Sequence, residues 1–264
     1  MIYIPERIQK IVGNEKYRKN AVGMSGSAVL EYDSYVLKIQ PHTPETDNER
    51  DMVSWLGGRL PVPEIAAYQV EDGRAYTLMT RIKGDMLCAE EYLRNPAGLL
   101  SLAAEGLKLL WSIDVKDCPC RVSRLQERLK AARRNVENGM VDMDNVEPDT
   151  FGANGFAGPE ELLEWLEQNQ PREDIVLTHG DFCLPNIFAG QGHVTGFIDL
   201  GKMGPADRWQ DIAIAMRSLE HNLSGKYHNG IPFGSFEPRR FLEELGVEPD
   251  EKKNRYYMLL DELF

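Results

Sequence analysis

The stretch Thr178-His179-Gly180-Asp181-Phe182-Cys183-Leu184-Pro185-Asn186-Ile187 sets a carboxylate and a carboxamide five positions apart. An aspartate so placed can accept the proton of an attacking hydroxyl, while the amide oxygen of Asn186 holds a magnesium ion that is itself bound to phosphate. Eighteen residues beyond Asp181, Phe197-Ile198-Asp199-Leu200-Gly201 puts a second aspartate directly after an apolar run and before a glycine. A carboxylate oxygen and one amide oxygen suit magnesium, which keeps waters and substrate phosphates in its shell. Taken singly, each residue has a plainer reading: Asp181 caps a turn, Asn186 sits in a loop and Asp199 ends a strand. Their offsets in combination favour the proton-transfer and metal roles.

The amino-terminal part carries matching pieces. Tyr35-Val36-Leu37-Lys38-Ile39 resembles the V-A-I-K strand of kinases, whose lysine contacts nucleotide phosphates, and Glu49 on the following helix suits an ion pair with Lys38. The spacing of Asp181, Asn186 and Asp199 resembles the same pattern, H-x-D-x-x-x-x-N followed by an aspartate in the D-F-G position. Gly23-Met24-Ser25-Gly26-Ser27-Ala28-Val29 lacks a full G-x-G-x-x-G, but the backbone and hydroxyl donors of Ser25, Gly26 and Ser27 suit the covering of phosphates. No G-x-x-x-x-G-K-[ST] occurs, so a Walker-type NTPase is not supported.

These groups need elements to hold them. Ser27–Tyr32 and Ser34–Gln40 read as strands of a hairpin around Asp33, and Ala75–Arg81 as another strand after the turn signal Glu71-Asp72-Gly73. Asp47–Leu56 has Met52, Trp55 and Leu56 at helical spacing and stops at Gly57-Gly58. Beyond Lys83-Gly84 the pattern turns helical. Leu99, Leu102, Ala103, Gly106, Leu107 and Leu110 form an amphipathic stripe with a small-residue side, and Ser123–Glu137 and Pro159–Glu167 follow as helices. Val141–Gly158 is a loop rich in Asp, Asn and Gly. Strands return at Ile175–Leu177 and Val194–Ile198, and helices run to the end, the last over Glu251–Phe264. The expected fold is α+β and protein-kinase-like: a small mixed-sheet N-lobe over residues 1–82 binding nucleotide, and a larger, mostly helical C-lobe over 83–264 carrying catalysis and substrate.

Composition narrows the partners. The 264 residues include 30 Lys+Arg against 42 Asp+Glu, a formal net charge of −12. That field repels nucleic-acid backbones and anionic lipid and attracts cations. At 42% hydrophobic and 27% charged residues the chain is compositionally an ordinary folded domain. Cys88, Cys118, Cys120 and Cys183 are too few for a disulfide framework and lack zinc spacing, so they read as reduced thiols. Neither a signal peptide nor a membrane span is read, and the expectation is a cytoplasmic enzyme with no obligate protein partner.

Across essentially its whole length the sequence resembles the aminoglycoside phosphotransferase family, most closely the enzymes that modify the 3′-hydroxyl. The resemblance rests on Gly23-Met24-Ser25, Leu60-Pro61-Val62-Pro63, Ser112-Ile113-Asp114, His179-Gly180-Asp181, Asn186-Ile187-Phe188, Gly196-Phe197-Ile198-Asp199-Leu200-Gly201, Ala206-Asp207-Arg208-Trp209-Gln210-Asp211-Ile212-Ala213 and the ending Tyr256-Tyr257-Met258-Leu259-Leu260-Asp261-Glu262-Leu263-Phe264. The catalytic pattern alone would admit choline, homoserine or fructosamine kinases; the ending narrows it. The resemblance implies ATP (or GTP) as phosphoryl donor, Mg²⁺ on Asn186 and Asp199, Asp181 as catalytic base, and a linker near Thr80 and Ile82 against the adenine. It implies amino-group binding by Asp261, Glu262 and Phe264, and drug contacts from Asp144, Asn145 and Glu147 in the acidic loop.

An acidic pocket suits a polycation. Glu220 falls where relatives carry acidic residues, though His221 and Asn222 follow it. Lys202 stands where relatives have Arg and is assigned to substrate, Trp111 replaces a common His, and Arg217 reads as a structural ion-pair partner. Two alternatives stand beside this reading: a kinase for another amino sugar or amino alcohol, and a catalytically silent, kinase-shaped protein that binds a polycation.

Overall fold

A computed structural model describes residues 2–20, 27–120, 123–153 and 155–264. The chain opens with helix α1 (Glu6–Val12) and strands β1 (Arg18–Asn20), β2 (Ala28–Glu31) and β3 (Tyr35–Pro41). Helix α2 (Pro44–Leu56) follows, then β4 (Ile65–Glu71) and β5 (Arg74–Thr80). The five strands form one sheet in the order β1-β2-β3-β5-β4, antiparallel at every pairing. The N-lobe is therefore mixed in helix and strand, not in strand direction. The β2–β3 hairpin sets Val29 opposite Lys38, and β5 sets Thr77 opposite it on the other side. Lys38 thus sits on a central strand, with Leu37 and Ile39 turned into a core shared with Ile8, Leu30, Tyr76 and Leu78.

Helix α2 starts where Pro44 fixes φ at the first helical position and the Thr46 hydroxyl accepts the Thr43 N–H at 3.1 Å. It begins three residues earlier than its apolar spacing suggests, because Pro44 and Glu45 are polar-face helix starters that periodicity does not register. Met52, Val53 and Leu56 are buried in the larger core, so this helix bridges the sheet and the helical body. Glu49, one turn before Val53, is 3% exposed although it is a carboxylate.

After the short strand β6 (Asp85–Met86) and helix α3 (Glu90–Leu93), α4 (Pro96–Trp111) runs through the centre. Asn95 caps it by accepting the Gly98 N–H at 3.2 Å. Its small-residue side has a definite use. A Cβ built on Gly106 would stand 3.0 Å from the ring of Phe182 and 3.5 Å from that of Phe197, so a glycine lets both rings pack on the helix. Helices α5 (Leu125–Glu137) and α6 (Pro159–Gln168) complete this half. Two small antiparallel sheets follow, β7 (Ile175–Thr178) with β10 (Gly204–Asp207), and β6 with β8 (Ile187–Gly190) and β9 (His193–Phe197).

The remaining helices are α7 (Arg208–Leu223), α8 (Pro238–Leu245) and α9 (Glu251–Asp261). Helix does not run unbroken from α7 to the end: residues 224–237 are turn and irregular chain, as Gly225, Gly230, Pro232 and Gly234 require. The last helix stops at Asp261, with Glu262 as its cap, instead of continuing to Phe264.

Candidate active site

Strand β7 ends in the sharpest part of the site. Gly180 adopts φ +82°, and a Cβ there would come within 2.3 Å of the Lys202 carbonyl oxygen, so only glycine fits between the two loops. The backbone N–H groups of His179 and Gly180 both donate to the fully buried Asp211 carboxylate, at 2.6 and 2.9 Å. Burial pushes the Asp211 carboxyl up to about 7; the two N–H donors pull it down, Asp181 adds to the rise and Arg128 opposes it. His179 is also buried, and burial lowers its pKa and keeps the ring neutral. Its Nε2 lies 2.9 Å from the Ile198 carbonyl oxygen, which can only accept, so the proton sits on Nε2. Two side chains outside the reacting set, Asp211 and His179, thus tie the loop of Asp181 to helix α7 and to the residue before Asp199.

Asp181, Asn186 and Asp199 come together as their spacing predicts. The Asn186 Nδ2 donates to the Asp181 carbonyl at 3.0 Å and to its Oδ2 at 3.2 Å, which turns the Asn186 Oδ1 away from Asp181 as a free acceptor. The Ile198 N–H donates to the Asn186 carbonyl at 3.0 Å, pinning the two loops side by side. Asp199 is in the left-handed region (φ +59°), a conformation rare outside Gly and Asn, and its side chain is half exposed. Between them, Cys183 is pushed up by burial and by Asp181, so its thiol stays protonated and takes no nucleophilic part.

Across the cleft, the Lys38 Nζ lies 3.1 Å from both Glu49 oxygens and 2.6 Å from Asp199 Oδ1. Burial works against its charge, but Glu49 and Asp199 outweigh it and raise the pKa. Gln40 donates to Glu49 at 3.2 Å, so the carboxylate is held from two sides. Helix α2 is anchored to the loop that follows Asp199 by Asn48, whose Nδ2 donates to the carbonyls of Gly201 and Met203 at 2.8 and 2.9 Å.

The linker places Thr80 with its hydroxyl accepting the Glu64 N–H at 2.9 Å. Ile82 lies over Gly196, where a Cβ would come within 2.4 Å of its methyl carbon, so this side chain forms part of the floor joining linker to β9. Thr195 holds the Lys83 carbonyl at 2.5 Å. Ser25 and Gly26 lie outside the described residues, and Ser27 leads directly into β2.

The carboxylates assigned to substrate divide into two groups. Asp261, Glu262 and Glu147 form one cluster. Burial raises Asp261, yet Arg217, Arg128 and Lys202 more than offset it and hold the carboxyl below its ordinary value. Arg217 donates to Asp261 and stands 3.5 Å from Glu262, and Arg128 is 3.7 Å from Asp261. Glu262, 4% exposed at its side chain, accepts the Glu147 N–H at 3.0 Å, and burial pushes its carboxyl up. Phe264 lies under two cations, with the Arg128 guanidinium 4.6 Å and the Lys202 ammonium 5.8 Å from its ring centre.

The other group is not drawn in. Asp144 and Asn145 are exposed and wrapped around Asp142, which accepts the Asp144 N–H at 3.1 Å and the Asn145 Nδ2 at 2.6 Å. Glu220 is exposed on α7, with no side-chain hydrogen bond among the described residues. A run of acidic residues near a site does not fix which of them face it.

Among the described residues no group of three or more His, Cys, Asp or Glu side chains is arranged to hold a metal ion. A metal here would have Asn186 and Asp199 as its protein donors and take the rest of its shell from phosphate and water. One amide oxygen and one carboxylate fit Mg²⁺ in that manner and would not fit an all-protein cage.

The profile of the phosphotransferase enzyme family (APH) matches residues 16–245. An aminoglycoside 3′-phosphotransferase of Enterococcus faecalis is 37% identical, with 99% of this chain and 98% of that protein covered. The enzyme of the same name from Staphylococcus aureus is 36% identical over the same shares. The chain belongs to the aminoglycoside phosphotransferase family. Solved members agree in fold. An aminoglycoside-3′-phosphotransferase of type VIII covers 94% of each chain at 27% identity with a TM-score of 0.75. The APH(3″)-Id enzyme of Streptomyces rimosus, solved with ADP and streptomycin, covers 97% of this chain and 95% of its own at 25% identity with a TM-score of 0.77. Within this family fold, sequence reasoning overlooked Asp211, His179 and Arg128 as positioning groups. Arg128 had a signal: it occupies an apolar stripe with Leu125, Leu129 and Ala132, at helical spacing, on α5.

Proposed function

We propose that this phosphotransferase moves the γ-phosphoryl group of ATP to a hydroxyl of an aminoglycoside, the 3′-hydroxyl, and so confers resistance to drugs such as kanamycin or neomycin. The observation that carries the proposal is the joining of two halves. Lys38, paired with Glu49, reaches Asp199, Asp181 and Asn186 stand beside it, and the carboxylate cluster of Glu147, Asp261 and Glu262 meets the loop after Asp199 where Lys202 lies over Phe264.

In this reading Asp181 accepts the acceptor hydroxyl's proton as the oxygen bonds to the γ-phosphorus and the bond to the β–γ bridging oxygen breaks, releasing ADP. Lys38 neutralises phosphate charge, and Ser25, Gly26 and Ser27 cover the phosphates. Thr80 and Ile82 flank the base, and the lobes divide near residue 82. Asn186 and Asp199 would hold Mg²⁺, which when bound supplies neutralisation of charge on the phosphates. With a loose transition state, most of the acceleration comes from placement and charge, so the restraint of Asp181 by Asn186, and of its loop by Asp211, bears directly on rate. GTP is an alternative donor. The place of action is the cytoplasm, which is where ATP is held; among the described residues no helix is long and apolar enough to cross a membrane.

A coupled assay of ADP release with magnesium, ATP or GTP, and a panel of aminoglycosides tests this. Drug-dependent turnover supports it. Turnover with other amino alcohols alone would transfer the substrate assignment, and nucleotide binding without turnover would leave a silent binder.

A further inference from the structure

The carboxylates of the Glu147, Asp261 and Glu262 cluster do not stand open in this structure; each is matched by a cation of the chain itself, and the cations differ in how firmly they are held. Arg217 and Arg128 are largely buried at the side chain, 22% and 8% exposed, and bind Asp261 between them. Glu147 is matched differently. Its Oε1 lies 3.2 Å from His221 Nε2 and 3.7 Å from Lys226 Nζ. His221 is 14% exposed at its side chain and braced by the Tyr227 hydroxyl at 3.2 Å, whereas Lys226 is half exposed and comes from the turn after α7. Lys226 Nζ is also 3.2 Å from the His221 ring, so it lies over the pair at its solvent side. Glu147, in the acidic loop, is also fixed through its backbone N–H, which donates to Glu262.

We infer that Lys226 is a specificity-determining residue: its ammonium rests against Glu147 in the position that an ammonium group of the acceptor takes, and acceptor binding displaces it. The inference rests on the reading of Glu147 as a substrate contact. An exposed ion pair of this kind is worth little, so its displacement is cheap, while the buried pairs of Arg217 and Arg128 with Asp261 stay intact. An acceptor ammonium that approaches the exposed side of Glu147 is repelled by the Lys226 charge there, and an acceptor that uses this carboxylate must outcompete Lys226. Those with a strongly basic amine at that position do so best, which makes Lys226 a filter on amine placement and not merely a surface charge.

The test is steady-state kinetics with kanamycin at saturating ATP for wild type, Lys226→Ala, Glu147→Gln and the double variant. The inference expects Lys226→Ala to lower the acceptor KM by about two- to fivefold with kcat unchanged, the signature of altered uniform binding. Glu147→Gln should raise that KM, and adding Lys226→Ala to Glu147→Gln should change nothing further. If Lys226→Ala raises the KM, Lys226 aids binding and the inference is overturned while Glu147 keeps its role. If Glu147→Gln leaves the KM unchanged, the reading of Glu147 fails and the inference falls with it.

Discussion

Lys38 Nζ and Asp199 Oδ1 stand 2.6 Å apart although 161 positions separate them in the chain. The lysine assigned to phosphate and the aspartate assigned to the metal form an ion pair, and the two halves of the cleft meet through this contact. Lys38→Met should therefore lower kcat by about 10²–10³-fold, the usual loss for a removed transition-state donor, and raise the KM for ATP. Lys38→Arg should not restore it, because a bulkier guanidinium forks onto the Glu49 carboxylate and is not the compact point charge that Lys38 presents to Glu49 and Asp199 together. Full activity in either variant, measured by ADP release, would contradict the assignment.

Gly180 tests the shape of the catalytic loop. Its positive φ and the Lys202 carbonyl 2.3 Å from a Cβ leave an alanine no position. Gly180→Ala should destabilise the fold by more than about 1 kcal/mol and lower kcat with it, seen as a reduced Tm and slower turnover. An unchanged Tm would mean that the loops part more readily than this packing implies.

Asp211 yields a pH dependence. Its carboxyl, raised by burial to about 7, binds a proton in the folded chain at pH values where the unfolded chain has lost it. The folded state then holds more protons between the ordinary carboxylate range and neutrality, so stability falls as pH rises through that window and levels off above it. Relative to Asp211→Asn, which does not titrate, wild type should lose up to about 1.4 kcal/mol per pH unit between pH 5 and 7. Denaturant unfolding of both proteins across pH 5–8.5 measures this. A difference that is flat with pH, or that grows in favour of wild type, would contradict it.

Arg128 separates acceptor handling from nucleotide handling. Its contacts are with Asp261 and the Phe264 ring, on the acceptor side. Arg128→Met should raise the acceptor KM several-fold and lower the Tm, since a buried charge pair loses one member, while the KM for ATP stays as it is. Arg128→Lys should recover part of both. An equal rise in both KM values would make Arg128 a general packing residue.

The parts of the site legible in the sequence are those set by short chain distance. Asp181 and Asn186 are joined by one turn, Asp199 follows the strand that pairs beside them, and Glu49 sits on the helix directly after Lys38's strand. Period and turn residues also gave α4, α6 and the β2–β3 hairpin close to their observed limits. What was not legible depends on how helices settle against one another. Arg217 meets Asp261 across 44 positions and Arg128 meets it from α5; a helical period says which face is buried, not which neighbour it finds. The acidic loop illustrates the same limit: Glu147 enters the cluster, whereas Asp144 and Asn145 turn outward around Asp142, and their types alone do not distinguish them. The strands β1 and β10 are short or polar in pattern, and they exist because a neighbouring strand completes their hydrogen bonds.

The central claim is phosphoryl transfer to a 3′-hydroxyl through Asp181. Its most direct test is magnesium-dependent ADP release with kanamycin, and with tobramycin, which lacks that hydroxyl, for wild type and Asp181→Ala. The account predicts turnover of kanamycin only, and a fall of at least about 10²-fold in the variant with its fold intact. Equal turnover of both drugs, or undiminished turnover by Asp181→Ala, would contradict it.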